Sequence, residues 1–123
     1  MSEERTFRRG DVVLVSFPYV TDPSRTKQRP AVIVQNDVGN QYSPNLIIAA
    51  ISSQLPIRQY PTNVVLRQDS PEAEGAGLGR DSVVQAEVIL TIPKASVAKR
   101  LGRFNDGAMR AIDQCLKVSL GLT

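Results

Sequence analysis

Residues 30–35, Pro-Ala-Val-Ile-Val-Gln, decide the fold of this chain. Proline stands at the first position, where a strand tolerates a missing N–H, and the residues behind it are nearly all apolar, as in a strand buried at the centre of a sheet. Upstream, residues 12–17 (VVLVSF) form a β-branched run of strand length, introduced by Gly10 and Asp11. Between the two runs, residues 18–27 hold Pro18, Asp22, Pro23 and Ser24 as turn formers with Arg25 and Lys27 as cations, which predicts a mobile connection. Downstream, residues 36–40 read as a turn, and residues 46–52 (LIIAAIS) are the most hydrophobic stretch in the chain. That stretch is read as a core strand, although periodicity alone also fits a short buried helix.

Working outward, residues 62–66 (TNVVL) predict a fourth strand and residues 81–90 (DSVVQAEVIL) a fifth, separated by a loop over residues 69–79. Residues 96–100 predict a short helical turn that stops at Gly102. The clearest helix comes last. Asn105 or Asp106 can cap it, Ala108, Ile112, Cys115, Leu116 and Ser119 fall on one face at spacings of three and four, and Gly121 can supply a left-handed cap. Five strands and one terminal helix predict a mainly β protein, a small bent antiparallel sheet or barrel closed by a C-terminal helix. The 123 residues suit a single domain, 1–123, with residues 1–8 expected to be flexible.

Composition narrows the chemistry. With no histidine and one cysteine, the usual zinc sites, the histidine triads and an intramolecular disulfide are all unavailable. No stretch approaches the length of a membrane span and the charged start lacks a signal-like apolar region, so a soluble cytoplasmic protein with no membrane association is expected. The net charge of +3 is unevenly spread: residues 23–68 carry +4, residues 69–87 carry −4 and residues 88–123 carry +4. Clustered cations attract phosphates, so an anionic partner fits, as does an ordinary solvated surface.

The carboxylates show no metal-ligand spacing, and neither a metal nor another cofactor is expected. The GAGLG stretch at 75–79 follows an acidic segment and precedes a strand, so it reads as a flexible loop and not as a nucleotide fingerprint. Cys115, on the inner face of a helix, reads as a small buried hydrophobe. The informative place is Arg29 beside Pro30, at the mouth of a buried strand and next to Arg25 and Lys27. A guanidinium is always charged and forks onto phosphate oxygens. The same arginine can equally pair with Asp11 or Asp37 across adjacent strand ends. Ser52, Ser53 and Gln54 close the hydrophobic strand with hydroxyl and amide groups.

Taken in order and spacing, RRGDVVLVSF, KQRPAVIVQND, NLIIAAISSQ, PTNVVL, DSVVQAEVILTI and AIDQCLKVSLGL closely resemble the MazF/PemK family of toxin endoribonucleases, over residues 9–122. The stretch QNDVGNQYSPNLIIAAISSQ is most similar to the branch of that family found in Gram-positive bacteria. The resemblance implies an SH3-like, CcdB/PemK-type, partly open barrel, a homodimer, a small antitoxin partner, and metal-independent, sequence-selective cleavage of single-stranded RNA. By position, the family's catalytic arginine falls on Arg29 and its catalytic hydroxyl, commonly threonine, on Ser52. Serine keeps the hydroxyl and loses the methyl group that stiffens χ1. Relatives often carry Gln and Arg where this chain has Val88 and Leu90, which bears on the sequence that is cut. Arg25, Lys27, Gln28, Ser53 and Gln54 are the expected RNA contacts. The competing expectation is a non-enzymatic, protein-binding toxin on the same fold, like the gyrase poisons; those end in a tryptophan-containing tail, and this chain has no tryptophan.

Overall fold

The chain is organised around the run that begins at Pro30. In the computed structural model, which describes residues 5–18, 22 and 24–122, β2 (Thr26–Ile33) pairs with β1 (Asp11–Pro18) on one side and β3 (Asn45–Ser52) on the other. β4 (Asn63–Leu66), β5 (Ser82–Pro93) and β6 (Val97–Arg103) complete a six-stranded antiparallel sheet in the order β4-β5-β3-β2-β1-β6. A short helix, α1 (Asp37–Tyr42), follows β2, and a long one, α2 (Asp106–Leu120), ends the fold.

Both faces of the sheet are covered. Val12, Val32, Ala49, Ile51, Val84 and Ala86 pack with α2 residues including Ala108, Ile112 and Leu116. The alternate residues Val13, Val15, Ala31, Ile33, Ile48 and Ala50 pack with Phe7, Ile92 and Val97, where the bent sheet folds over its own second face. That double burial is why residues 30–35 and 46–52 read as unbroken apolar runs and not as alternating ones. The bending has local causes: the β1–β6 register shifts at Val12/Val13 and Leu14/Val15, and the β3–β5 register at Ala49/Ala50. Such bulges kink a strand and increase its twist.

The structure differs from the sequence reading in four places. Residues 97–103 are a strand, β6, and not part of a helical turn, because β1 offers them a ladder and Asp11 a charge partner. Asp11, directly opposite Arg103 in that ladder, is 2 % exposed and receives Arg103 at 3.1 Å, Arg100 at 3.4 Å and the Arg8 backbone N–H at 2.9 Å. A buried carboxylate requires such partners. Second, residues 37–42 form α1 where a turn was expected; the Asn36 side chain caps it by accepting the Gly39 N–H at 2.8 Å. Third, the start of the chain is not loose from residue 5 onward, since Arg5 donates to the carbonyls of Val97 and Lys94 and Phe7 is buried. Residues 1–4 lie outside the described residues.

The fourth difference is the loop before β5. Ala76 is fully buried, and the Arg103 N–H donates to the Gly75 carbonyl at 2.8 Å. Gly77 has φ +73°, and a Cβ there would overlap the Leu101 carbonyl; a Cβ on Gly102 would overlap the backbone of Gly75 and Ala76. The glycines therefore permit a backbone-to-backbone seam between β6, one edge strand of the open sheet, and the loop that follows β4, the other edge strand. The stretch that read as a flexible loop is a packed closure. The connection expected over residues 18–27 lies partly outside the described residues, at 19–21 and 23, and Thr26 and Lys27 already belong to β2.

Helix α2 follows its sequence signals closely. Asn105 caps it by accepting the Ala108 N–H at 2.9 Å, Gly121 closes it at φ 68°, and Ala108, Ile112, Cys115 and Leu116 are its buried residues. Burial, with a lesser push from Glu87, raises the Cys115 thiol above its ordinary pKa, so it stays protonated as an inert packing group.

Candidate active site, a cationic cleft where two strands part

Pro30 creates the site. The β2–β3 ladder runs from Ile33↔Ile48 to Ala31↔Ala50 and ends there, while β2 continues along β1 alone through Arg29, Gln28, Lys27 and Thr26. Proline has no N–H to continue the ladder toward β3. Extending the register by two places would set Arg29 opposite Ser52, but the strands have separated, and a cavity of about 340 Å³ opens between them.

Lys27, Gln28, Arg29 and Pro30 line the cavity from β2, and Ser52, Ser53 and Gln54 line it from the end of β3. Arg25 is not among its lining residues. Six of the seven residues singled out in the sequence thus meet at one cavity. A third group was missed: Leu78, Gly79, Arg80 and Ser82, from the loop before β5 and the start of that strand. One signal pointed there, since Arg80 is the sole cation in the acidic segment 69–87.

Arg29 does not make the pairing that its position also allowed. Asp11 is taken by Arg100 and Arg103, and Asp37 by the Arg9 N–H at 2.7 Å and by Asn40 at 3.0 Å. Arg29 is exposed and makes no ion pair with another of the described residues. The described lining contains three cations, Lys27, Arg29 and Arg80, and no carboxylate, so its field attracts anions.

The hydroxyl of Ser52 is oriented. Its Oγ accepts the Gln54 backbone N–H at 3.1 Å, which occupies a lone pair and leaves the O–H to donate elsewhere. Ser82, buried at 3 % exposure, donates from Oγ to the Arg80 carbonyl at 3.0 Å. Asp81 anchors the same loop by accepting the Gln68 N–H at 2.8 Å and Arg67 at 3.2 Å, and these contacts, the Gln68 N–H foremost, hold its carboxyl below the ordinary carboxylate range.

Among the described residues, no group of three or more His, Cys, Asp or Glu side chains is gathered as a metal cage, and no helix is long and apolar enough to cross a membrane. Val88, more than a third exposed, and Leu90, packed partly against the second core cluster, do not line the cavity.

Residues 8–120 match the family described as the PemK-like, MazF-like toxin of type II toxin-antitoxin systems, and the chain belongs to that family. It is 35 % identical over 115 residues to the Endoribonuclease EndoA of Bacillus subtilis (strain 168), covering 94 % of this chain and 95 % of that one. The fold is similar to that of an endoribonuclease in complex with its cognate antitoxin from a mycobacterial species, with a TM-score of 0.75 at 23 % identity over 94 % of this chain and 96 % of the other. It is also similar to a MazE-MazF structure from Deinococcus radiodurans, with a TM-score of 0.73 at 18 % identity over 97 % and 100 % of the two chains.

Proposed function

We propose that this toxin is an endoribonuclease that cleaves single-stranded RNA at the cleft formed by β2, β3 and the loop before β5, without a metal or other cofactor. The observation that carries the reading is the cleft itself, in which Arg29 and Ser52 share a cavity lined by three cations and no carboxylate. RNA brings its own nucleophile. The 2′ oxygen bonds to phosphorus as the bond to the 5′ oxygen breaks, the 2′ proton is lost to water and the 5′ oxygen gains one, leaving a 2′,3′-cyclic phosphate and a 5′-hydroxyl. The protein has only to hold the phosphate in line and stabilise the charge that builds on its oxygens. Arg29 clamps those oxygens with its forked donors, and Ser52, its acceptor side occupied by Gln54, donates a second hydrogen bond. Lys27, Gln28, Ser53 and Gln54 contact the flanking RNA, and Arg25 attracts it from outside the cavity.

The family and the mycobacterial complex support an antitoxin partner, and the charge of the cleft favours an acidic one. A homodimer fits the exposed apolar side chains Ile47, Leu120 and Leu122, which line a groove of about 640 Å³ beside α2. Sedimentation at micromolar concentration should give twice the 13.4 kDa of one chain, and a monomer there would refute the dimer.

The test of the activity is direct. The purified chain is incubated with a long RNA in EDTA and the new ends are mapped; cleavage leaving 5′-hydroxyl ends is expected. Arg29→Ala should lose about 100- to 1,000-fold in rate, the usual effect of removing a transition-state donor. Since Arg29 is exposed and unpaired among the described residues, the variant should unfold at the same temperature as the wild type. An Arg29→Ala protein that cuts at the wild-type rate would overturn the reading.

A further inference from the structure

The cleft has two sides, and only one of them belongs to β2. In the sheet, β3 lies between β2 and β5, and Ser52 is paired with Val83 of β5. Arg80 stands three residues before Val83 and lines the same cavity as Ser52 and Arg29. Ser52 therefore lies between the strand that carries Arg29 and the strand that Arg80 leads into. The two arginines are therefore rooted on opposite sides of the end of β3, across the cavity that opens where β2 and β3 part.

The backbone under Arg80 is fixed on every side. Ser82 bonds the Arg80 carbonyl, Asp81 is tied to Gln68 and Arg67, Leu66 pairs with Ser82, and Gly77 rests against Leu101 of β6. The Arg80 side chain, in contrast, is exposed and makes no hydrogen bond or ion pair with another of the described residues. Its neighbour Asp81, the nearest carboxylate in sequence, is committed to Arg67. A long cationic side chain held on an anchored backbone and left unneutralised beside a cavity is suited to a ligand phosphate.

We propose that Arg80 is a second phosphate-binding residue, gripping the RNA backbone at a phosphate adjacent to the one held by Arg29, so that the strand crosses the ends of β2, β3 and β5. The assignment rests on the endoribonuclease reading above. It makes Arg80 a substrate-holding group whose contribution is independent of base identity, because phosphate contacts position a strand and carry no sequence information.

The test compares wild type, Arg80→Ala and Arg80→Lys. Cleavage of a long RNA is measured together with binding of a labelled, fully 2′-O-methylated single strand, which cannot be cut. Arg80→Ala should raise KM by about tenfold with kcat changed less than about twofold, and should reduce the slope of log affinity against log salt by about 0.7, the loss of one single-strand phosphate contact. Arg80→Lys should recover most of the slope, which a purely structural role would not predict, and the set of cut sites should not change. A wild type that cleaves, beside an Arg80→Ala protein with unaltered KM and unaltered salt slope, overturns this assignment alone. A wild type that neither binds nor cuts RNA overturns it together with the endoribonuclease reading. If Arg80→Ala lowers the unfolding temperature and Arg80→Lys restores stability without restoring the salt slope, the residue supports the loop and not the substrate.

Discussion

The Oγ of Ser52 accepts a 3.1 Å hydrogen bond from the backbone N–H of Gln54, which leaves the serine O–H to donate to another group. Ser52→Ala should therefore fold normally and lose about 100-fold in single-turnover cleavage, the lower end of the range for one lost donor. Ser52→Thr should equal or exceed wild type, because the added methyl restricts χ1 and holds the hydroxyl in place. A threonine variant as slow as the alanine variant would show that the hydroxyl is not the working group.

The seam between the loop and β6 makes a stability prediction. In Gly102→Ala the new methyl would overlap the backbone of Gly75 and Ala76, which has no flexible end to yield. The expected loss is more than about 2 kcal/mol, measured by urea unfolding. Below its unfolding range, the surviving folded protein should bind RNA with the reduced salt slope expected of Arg80→Ala, since the same seam supports Arg80. Wild-type stability in Gly102→Ala would mean that the loop is not packed as described.

Two carboxylates should contribute to the loss of stability in acid. Asp37 is held below the ordinary carboxylate pKa, chiefly by the Arg9 N–H and then by Asn40, and Asp81 likewise by the Gln68 N–H and then Arg67. A folded-state pKa below the unfolded value of about 3.9 means that the unfolded chain binds protons more readily. The stabilisation is thus complete above the unfolded value and is lost as pH falls through the lower, folded value. Asp37→Asn and Asp81→Asn should each flatten the decline in urea midpoint below about pH 4, with a smaller gap from wild type at pH 3 than at pH 7. A gap that stays constant over that range would exclude both ion-specific contributions.

Neutralisation by the antitoxin should act on the same charges as RNA. An acidic, initially disordered segment laid into the cleft would meet Lys27, Arg29 and Arg80, and its binding would weaken with salt. Reversing charge at Arg25 and Lys27 should weaken both ligands while leaving the fold intact, and RNA should displace the antitoxin in a competition assay. Lost RNA cleavage with unchanged antitoxin affinity would place neutralisation on a separate surface.

The parts of this structure that were legible in the sequence are those whose cause is local. Doubly buried strands announce themselves as apolar runs, and α2 shows its cap, its apolar stripe and its terminal glycine within 17 residues, from Asn105 to Gly121. Residues 97–103 gave no such sign, because Arg100 and Arg103 look solvated until Asp11, far away in sequence, is found beside them. The glycine at 77 was equally opaque, since the obstacle that demands it is the backbone of Leu101, distant in sequence. At the site, Arg29 and Ser52 stood next to recognisable strands, whereas Arg80 was hidden in an acidic stretch whose carboxylates do not line the cavity.

Pro30 also divides the second strand into two regimes of permissible change. After it, Ala31, Val32 and Ile33 are completely enclosed, and almost any replacement there would disturb packing on one side of the sheet or the other. Before it, Thr26, Lys27, Gln28 and Arg29 are all exposed and hydrogen-bonded through their backbones to β1 alone. Substitutions in that forward arm leave the interior untouched, so descendants of one scaffold can drift toward new RNA preferences without first acquiring compensating stability. Under the proposed reading, laboratory recoding of the cut sequence should begin at Lys27 and Gln28, which are exposed and line the cavity.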